Sequence, residues 1–233
     1  MNPLQDRIEI VDGRPIVKAT GQSVDDVVRR LEGGEPTVKV AAGQPLDLIA
    51  ALAFAALGDD SSEGPSLVQQ PPGRPRLDEA LSAPELGRLF PNAPRVAILA
   101  LSAGLLQIHD FWEPSHEAAQ EADDLGERRF SAYWHAVAHR REPDPGNASY
   151  WFRRVGKHPL FPALAEAAAP LLLEYGDDRL TARLTGTGAW NPSAMIDLCA
   201  TAKTGTAQAG LARRLQRLEL GLLLAATAEA ASD

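Results

Sequence analysis

Residues 96–108 read VAILALSAGLLQI, an apolar run interrupted only by Ser102, Gly104 and Gln107. A membrane-spanning helix needs roughly 20 apolar residues, and this run stops well short of that. It reads instead as a helix buried inside a protein. A second run, LIAALAFAAL (48–57), has the same character: a helix that is apolar on every side has to be enclosed on every side. Two such helices call for more helices to cover them. The predicted fold is therefore mainly α, a bundle of roughly eight to nine helices.

Working outward, the segments on either side of these runs carry helix punctuation. Ser82 precedes a helix expected to end near Phe90, the central run extends over 93–112, and Pro114 marks the first turn of another helix reaching about Asp124. Further helices are expected over 128–142, 149–155 and 159–175. Another is capped by Asn191 with Pro192 at its first position, and the last covers 208–228. The segment RLTARLTG (179–186) stays open between strand and helix. Residues 1–44 read as a small mixed α/β cap. Asp12-Gly13 sits between two β-prone stretches as a hairpin turn, Ser23 and Asp26 have capping-box spacing, and PTVKVAAG (36–43) reads as one more strand. Residues 45–233 then form the helical domain, with 59–75, rich in Ser, Gly and Pro, as a surface loop.

Composition narrows the function. Apolar residues make up 45% and aromatic ones 6%, with Ala and Leu supplying much of the core. A net charge of −8 argues against a general nucleic-acid binder and against docking on anionic lipid. The single cysteine, Cys199, rules out an intramolecular disulfide and a cysteine-built zinc site, and reads as a small buried hydrophobe. The opening MNPLQDRIEIVDG lacks the basic start and apolar stretch of a secretory signal, so a cytoplasmic protein is expected. No G-x-S-x-G is present, and TGTGAW and TAKTGTAQAG fit neither phosphate-loop nor dinucleotide patterns.

The chemistry gathers in one span. All five histidines (His109, His116, His135, His139 and His158) lie between residues 109 and 158, together with Trp112, Trp134 and Trp151. In YWHAVAHRRE (133–142), His135 and His139 fall four apart on one helical face, and Glu142 continues that stripe. Two imidazoles so spaced can share a divalent ion at about 2.0–2.1 Å from each nitrogen. Residue 136 is alanine, so the glutamate of the zinc-protease helix is absent. If the helices around 93–112 and 128–142 pack antiparallel, His109 completes a ligand set with His135 and His139. His116, in a first turn, and His158, before Pro159, are expected to stand outside it.

Charge is partitioned too. From Arg128 to His158 there are seven basic residues and two acidic ones, whereas 109–124 holds six acids and no Lys or Arg. Arg140, Arg141, Arg153 and Arg154, with Trp134 and Trp151, are candidates for holding a small anionic substrate, because a guanidinium pairs with carboxylate or phosphate through two parallel bonds. Pairing between these arginines and the neighbouring acidic helix is the structural alternative.

The string HRREPDPGNASYWFRRVGKHP, within His135–Pro159, resembles the core of a set of bacterial and fungal proteins. That resemblance covers about one tenth of the chain, has no activity attached and carries over no catalytic residue. His109-Asp110 is also similar to the paired ligands of helical HD-type phosphohydrolases, although the earlier histidine of that pattern has no counterpart before residue 109.

Two readings follow. In one the chain is a metal-dependent enzyme, a hydrolase before an oxidoreductase, with zinc or iron on His109, His135 and His139, and with Glu113, Glu117 or Glu142 as fourth ligand or general base. In the other it is a non-catalytic helical binding module whose His/Trp/Arg cluster is structural. Self-association as a homo-oligomer stays open in both.

Overall fold

Asp12 and Gly13 take φ values of 49° and 74°, the left-handed pair that a two-residue hairpin turn demands. They fold β1 (Ile8–Val11) back on β2 (Arg14–Val17) in an antiparallel ladder from Ile8↔Val17 to Val11↔Arg14. Among the described residues, every helix or strand longer than a single bridge that follows the hairpin is a helix. The structure, a computed structural model, describes residues 2–232 and is 64% helical, with 12 α-helices alongside this single hairpin. The mainly-α architecture with a small N-terminal α/β cap is as expected. The larger number of helices comes from short ones.

In the cap, α1 (Val24–Glu32) starts at Ser23, whose Oγ accepts from the Asp26 N–H at 3.1 Å, and it buries Val24, Val27, Val28 and Leu31 along one face. α2 (Thr37–Ala41) replaces the strand expected at 36–43. Burial there falls on Thr37, Val40 and Ala41, a helical spacing, while Val38 stays exposed. A strand would have put Val38 and Val40 on the same face.

The two apolar runs become α3 (Pro45–Leu57) and α5 (Arg95–Ile108), with α4 (Ala83–Leu89) between them. Every residue of α5 from Ile98 to Ile108 is buried, so this helix is the axis of the fold. The side chains of the cap, among them Leu4, Val17, Val24 and Leu31, belong to the same apolar cluster as the helices. The backbone of the stretch 59–75 is tied to Arg141 and to a residue near the chain's end. Gln69 N–H donates to the Arg141 carbonyl at 2.8 Å, and Gln216 donates to the Ser66 carbonyl at 3.0 Å.

α6 (Trp112–Asp124) follows after Asp110, whose φ of 68° ends α5 and lets Phe111 N–H close on the Leu106 carbonyl at 2.9 Å. Pro114 therefore lies inside the first turn of a helix that already began at Trp112. α7 (Ser131–Arg141) is buried along its whole length. Its first N–H groups, on Phe130 and Ser131, are taken by the Glu127 carboxylate rather than by a residue at 128. α8 (Pro145–Val155) is capped by Asp144, which accepts from Asn147 N–H at 3.0 Å, and so starts four residues earlier than the expected 149. α9 (Leu160–Tyr175), α10 (Asp178–Thr185), α11 (Pro192–Thr201) and α12 (Ala207–Ala230) complete the chain. RLTARLTG is α10, started by Asp177. Among the described residues no helix is long and apolar enough to cross a membrane.

Candidate metal centre

α7 is the floor of the site, with α6 and α8 as its walls. The Trp112 indole N–H on α6 reaches the Ala138 carbonyl near the end of α7, and Asp144 at the head of α8 donates its N–H to the His139 carbonyl. At the other end, Phe130, just before α7, lies 5.9 Å from His158, just after α8. Both walls therefore run antiparallel to α7. Asp123, near the end of α6, pairs with Arg154 on the last turn of α8 at 2.7 Å and ties the two walls together at that end.

Three imidazoles meet in this groove. His116 Nε2 and His135 Nε2 are 2.8 Å apart, and one ring nitrogen from each of His116, His135 and His139 lies within 4.8 Å of the other two. His135 and His139 come from consecutive turns of α7, with ring centroids 5.0 Å apart, as their spacing of four requires. Aromatic rings hold two of the three in place: Trp151 stacks on His135 at 3.7 Å between centroids, and Trp112 stacks on His116 at 5.0 Å. His135 and His139 are buried, whereas His116 is half-buried.

The expected ligand set is corrected at one position. His109 caps α5 and turns away, its Nε2–H donating to the Leu52 carbonyl of α3 at 3.1 Å. His116 occupies the place expected for it. The spacing of Trp112 and His116, four apart like His135 and His139, was the available signal, and Pro114 obscured it by suggesting a helix start at 114. His158 stays outside, boxed by Phe130, Tyr133 and Phe161 with its Nδ1 accepting from the Leu160 N–H.

The arginines also divide. Arg140 is buried against Glu219 of α12 at 2.6 Å, with side-chain exposures of 1% and 0%. The other oxygen of Glu219 accepts from the Tyr133 hydroxyl at 2.8 Å and the Trp190 indole at 3.2 Å. Arg141, fully buried, pairs with Asp110 at 2.7 Å and donates to the Gln107 carbonyl. A guanidinium locked in the core cannot meet a ligand arriving from solvent, so neither residue is a substrate-binding group. Trp134 is removed from the site for the same reason: it is fully buried against Gly104 and bonds Thr227. Arg153 and Arg154 remain at the surface, Arg154 with its guanidinium 5.0 Å over the Trp151 ring. Of the three glutamates, Glu113 and Glu117 are exposed on α6 outside the ligand groups, and Glu142 accepts from His139 Nδ1 at 2.8 Å.

The donor set can be tested against a divalent ion. An ion needs neutral imidazoles. Burial pushes the His135 pKa down to about 3, with the neighbouring His116, His139 and Arg154 adding to the shift, and burial lowers that of His116 as well. Glu142 takes the Nδ1–H of His139 and leaves Nε2 as the nitrogen with a free lone pair, the arrangement found behind metal-bound histidines. The contact between His116 and His135 needs a shared proton, and an ion would take its place. One atom departs from the pattern: His135 Nδ1 is buried without an acceptor. A second, overlapping group, His139, Glu142 and Asp144, also brings one donor atom from each within 4.8 Å.

No family model, no curated protein and no solved structure matches this chain, so its chemistry has to be read from the arrangement itself.

Proposed function

We propose that the chain is a metal-dependent enzyme, a hydrolase before an oxidoreductase, acting on a small anionic substrate, with His116, His135 and His139 holding zinc or iron. The observation that supports this is the meeting of three imidazole nitrogens from two helices, with one ring open to solvent. A divalent ion bound by three histidines supplies Lewis acidity and lowers the pKa of water toward ~7. The chain's own residues do the rest. Glu142 fixes the tautomer of His139, Trp151 and Trp112 hold two rings in register, and the half-buried edge of His116 leaves an approach. Arg154, shared with Asp123 but with its side chain 35% exposed, lies over the Trp151 ring that stacks on His135.

A non-catalytic module is the second reading. It is favoured by the direct bond between His116 and His135, which satisfies both Nε2 atoms without an ion, and by the burial of Arg140 and Arg141. Elemental analysis of protein reloaded with zinc, iron(II) or manganese(II) separates the two. The enzyme reading expects about one ion per chain, lost in His135→Ala and His139→Ala, and ester hydrolysis that stops on chelation and returns on reloading. A folded protein that takes up no ion, with both variants merely less stable, gives the module.

A further inference from the structure

The pairing of Arg140, Arg141 and Arg154 with acids leaves four cations of the basic segment unspent. Arg128, Arg129, Arg153 and Lys157 have no carboxylate within ion-pair distance among the described residues. The topology brings them to one place. α7 begins and α8 ends at the same end of the groove, where Phe130 and His158 are 5.9 Å apart, Arg129 lies 4.8 Å over Phe130, and Lys157 precedes His158. Arg153 is on the last turn of α8, beside Arg154. Of the acids at this end only Asp123 is in an ion pair, with Arg154. Glu127 holds the N–H groups that open α7 and Asp124 the Gln120 amide, and both keep their charge, so the four cations outnumber these two acids. Unpaired like charges repel one another, and an arriving anion relieves that repulsion.

We infer that this rim, Arg128, Arg129, Arg153 and Lys157, is an anion-holding subsite for the phosphate end of a phosphate-bearing small molecule whose other end lies in the histidine groove. Phosphate fits better than a lone carboxylate because it presents several oxygens and up to two charges to several separate donors. Arg154, over Trp151 and next to His135 through the Trp151 stack, links the rim to the imidazoles. The assignment of the reacting end rests on the ion-centre reading above. The site holding the charge does not.

The test is calorimetric titration of chelator-treated protein with inorganic pyrophosphate at low ionic strength, where surface charge is least screened. Succinate is titrated in parallel. Arg128→Gln, Arg153→Gln and Lys157→Gln are combined in one variant, since all three side chains are exposed. Arg76→Gln, Arg179→Gln and Lys203→Gln form a control with the same change in net charge. The expected result is pyrophosphate binding at least tenfold tighter than succinate, weakened about tenfold or more by the rim variant and less than twofold by the control. Absence of pyrophosphate binding, equal binding of succinate, or equal loss in both variants overturns the subsite. Ion uptake is measured on the same samples. A chain that binds pyrophosphate at the rim yet takes up no ion fails the ion-centre reading and leaves this one standing.

Discussion

At His109 the imidazole donates to the Leu52 carbonyl from a fully enclosed position, and burial pushes its pKa down to about 4. A histidine held neutral in the fold is protonated more readily once unfolded, so the unfolded chain binds more protons between pH ~6.5 and ~4. Stability contributed by this group is complete above pH ~6.5 and falls as the pH drops through that window, by ~1.4 kcal/mol per unit at most. His158, also held down to about 4 by burial, acts in the same direction. His109→Gln keeps an amide donor for Leu52 and removes the titration. Urea denaturation of this variant should show a shallower loss of stability from pH 6.5 to 4 than the native chain, and an unchanged slope contradicts the assignment. Gly104 makes a second point at this scale. A Cβ there would lie 2.6 Å from the buried Trp134 ring, so Gly104→Ala should cost about 1–3 kcal/mol in chemical denaturation despite alanine's better helix propensity. The sequence showed that imidazoles and tryptophans gather in one span. It did not show which histidine faces which helix, because that depends on where α6 begins, and Trp112 carries no starting signal stronger than that of Pro114 two residues later.

Helix α7 runs through the core with two imidazoles on one face, His135 and His139 on consecutive turns, and with Arg140 and Arg141 in its last turn paired to buried or half-buried acids. Removing one partner of a buried ion pair leaves the other charge stranded, at a cost of about 3–5 kcal/mol. Glu219→Gln should therefore destabilise the chain by about that much. Arg140→Met combined with Glu219→Gln should cost less than Glu219→Gln alone, since no charge is then stranded and the amide oxygen still accepts from Tyr133 and Trp190. Thermal and denaturant melts of the three proteins measure this, and a double variant worse than the single one contradicts it. Local signals fixed the elements well where a side chain meets its own backbone. Asp12-Gly13 turned the hairpin, and Ser23 and Asn191 capped the helices expected of them. The pairing of Arg140 with Glu219 joins residues far apart in the chain, and nothing local announces it. α2 reads as a strand because Thr37, Val38 and Val40 favour strands by composition, whereas burial falls on Thr37, Val40 and Ala41, a helical face.

For the molecule as a whole, the same basic segment serves two ends. Its middle is drawn into the core by Glu219 and Asp110, and its flanks stay exposed where α7 begins and α8 ends. An ion that binds only the folded chain should stabilise it by ~2.7 kcal/mol at a concentration one hundred times its Kd. A melting temperature that rises with zinc in the native protein but not in His135→Ala is the expected outcome. The visible absorption spectrum of cobalt(II) added to chelator-treated protein tests the ligand set most directly, with the native chain compared against His116→Ala and His109→Gln. The arrangement of His116, His135 and His139 predicts intense tetrahedral bands at one equivalent in the native protein and in His109→Gln, and their loss in His116→Ala. Bands that survive in His116→Ala and vanish in His109→Gln, or no bands in the native protein, contradict it.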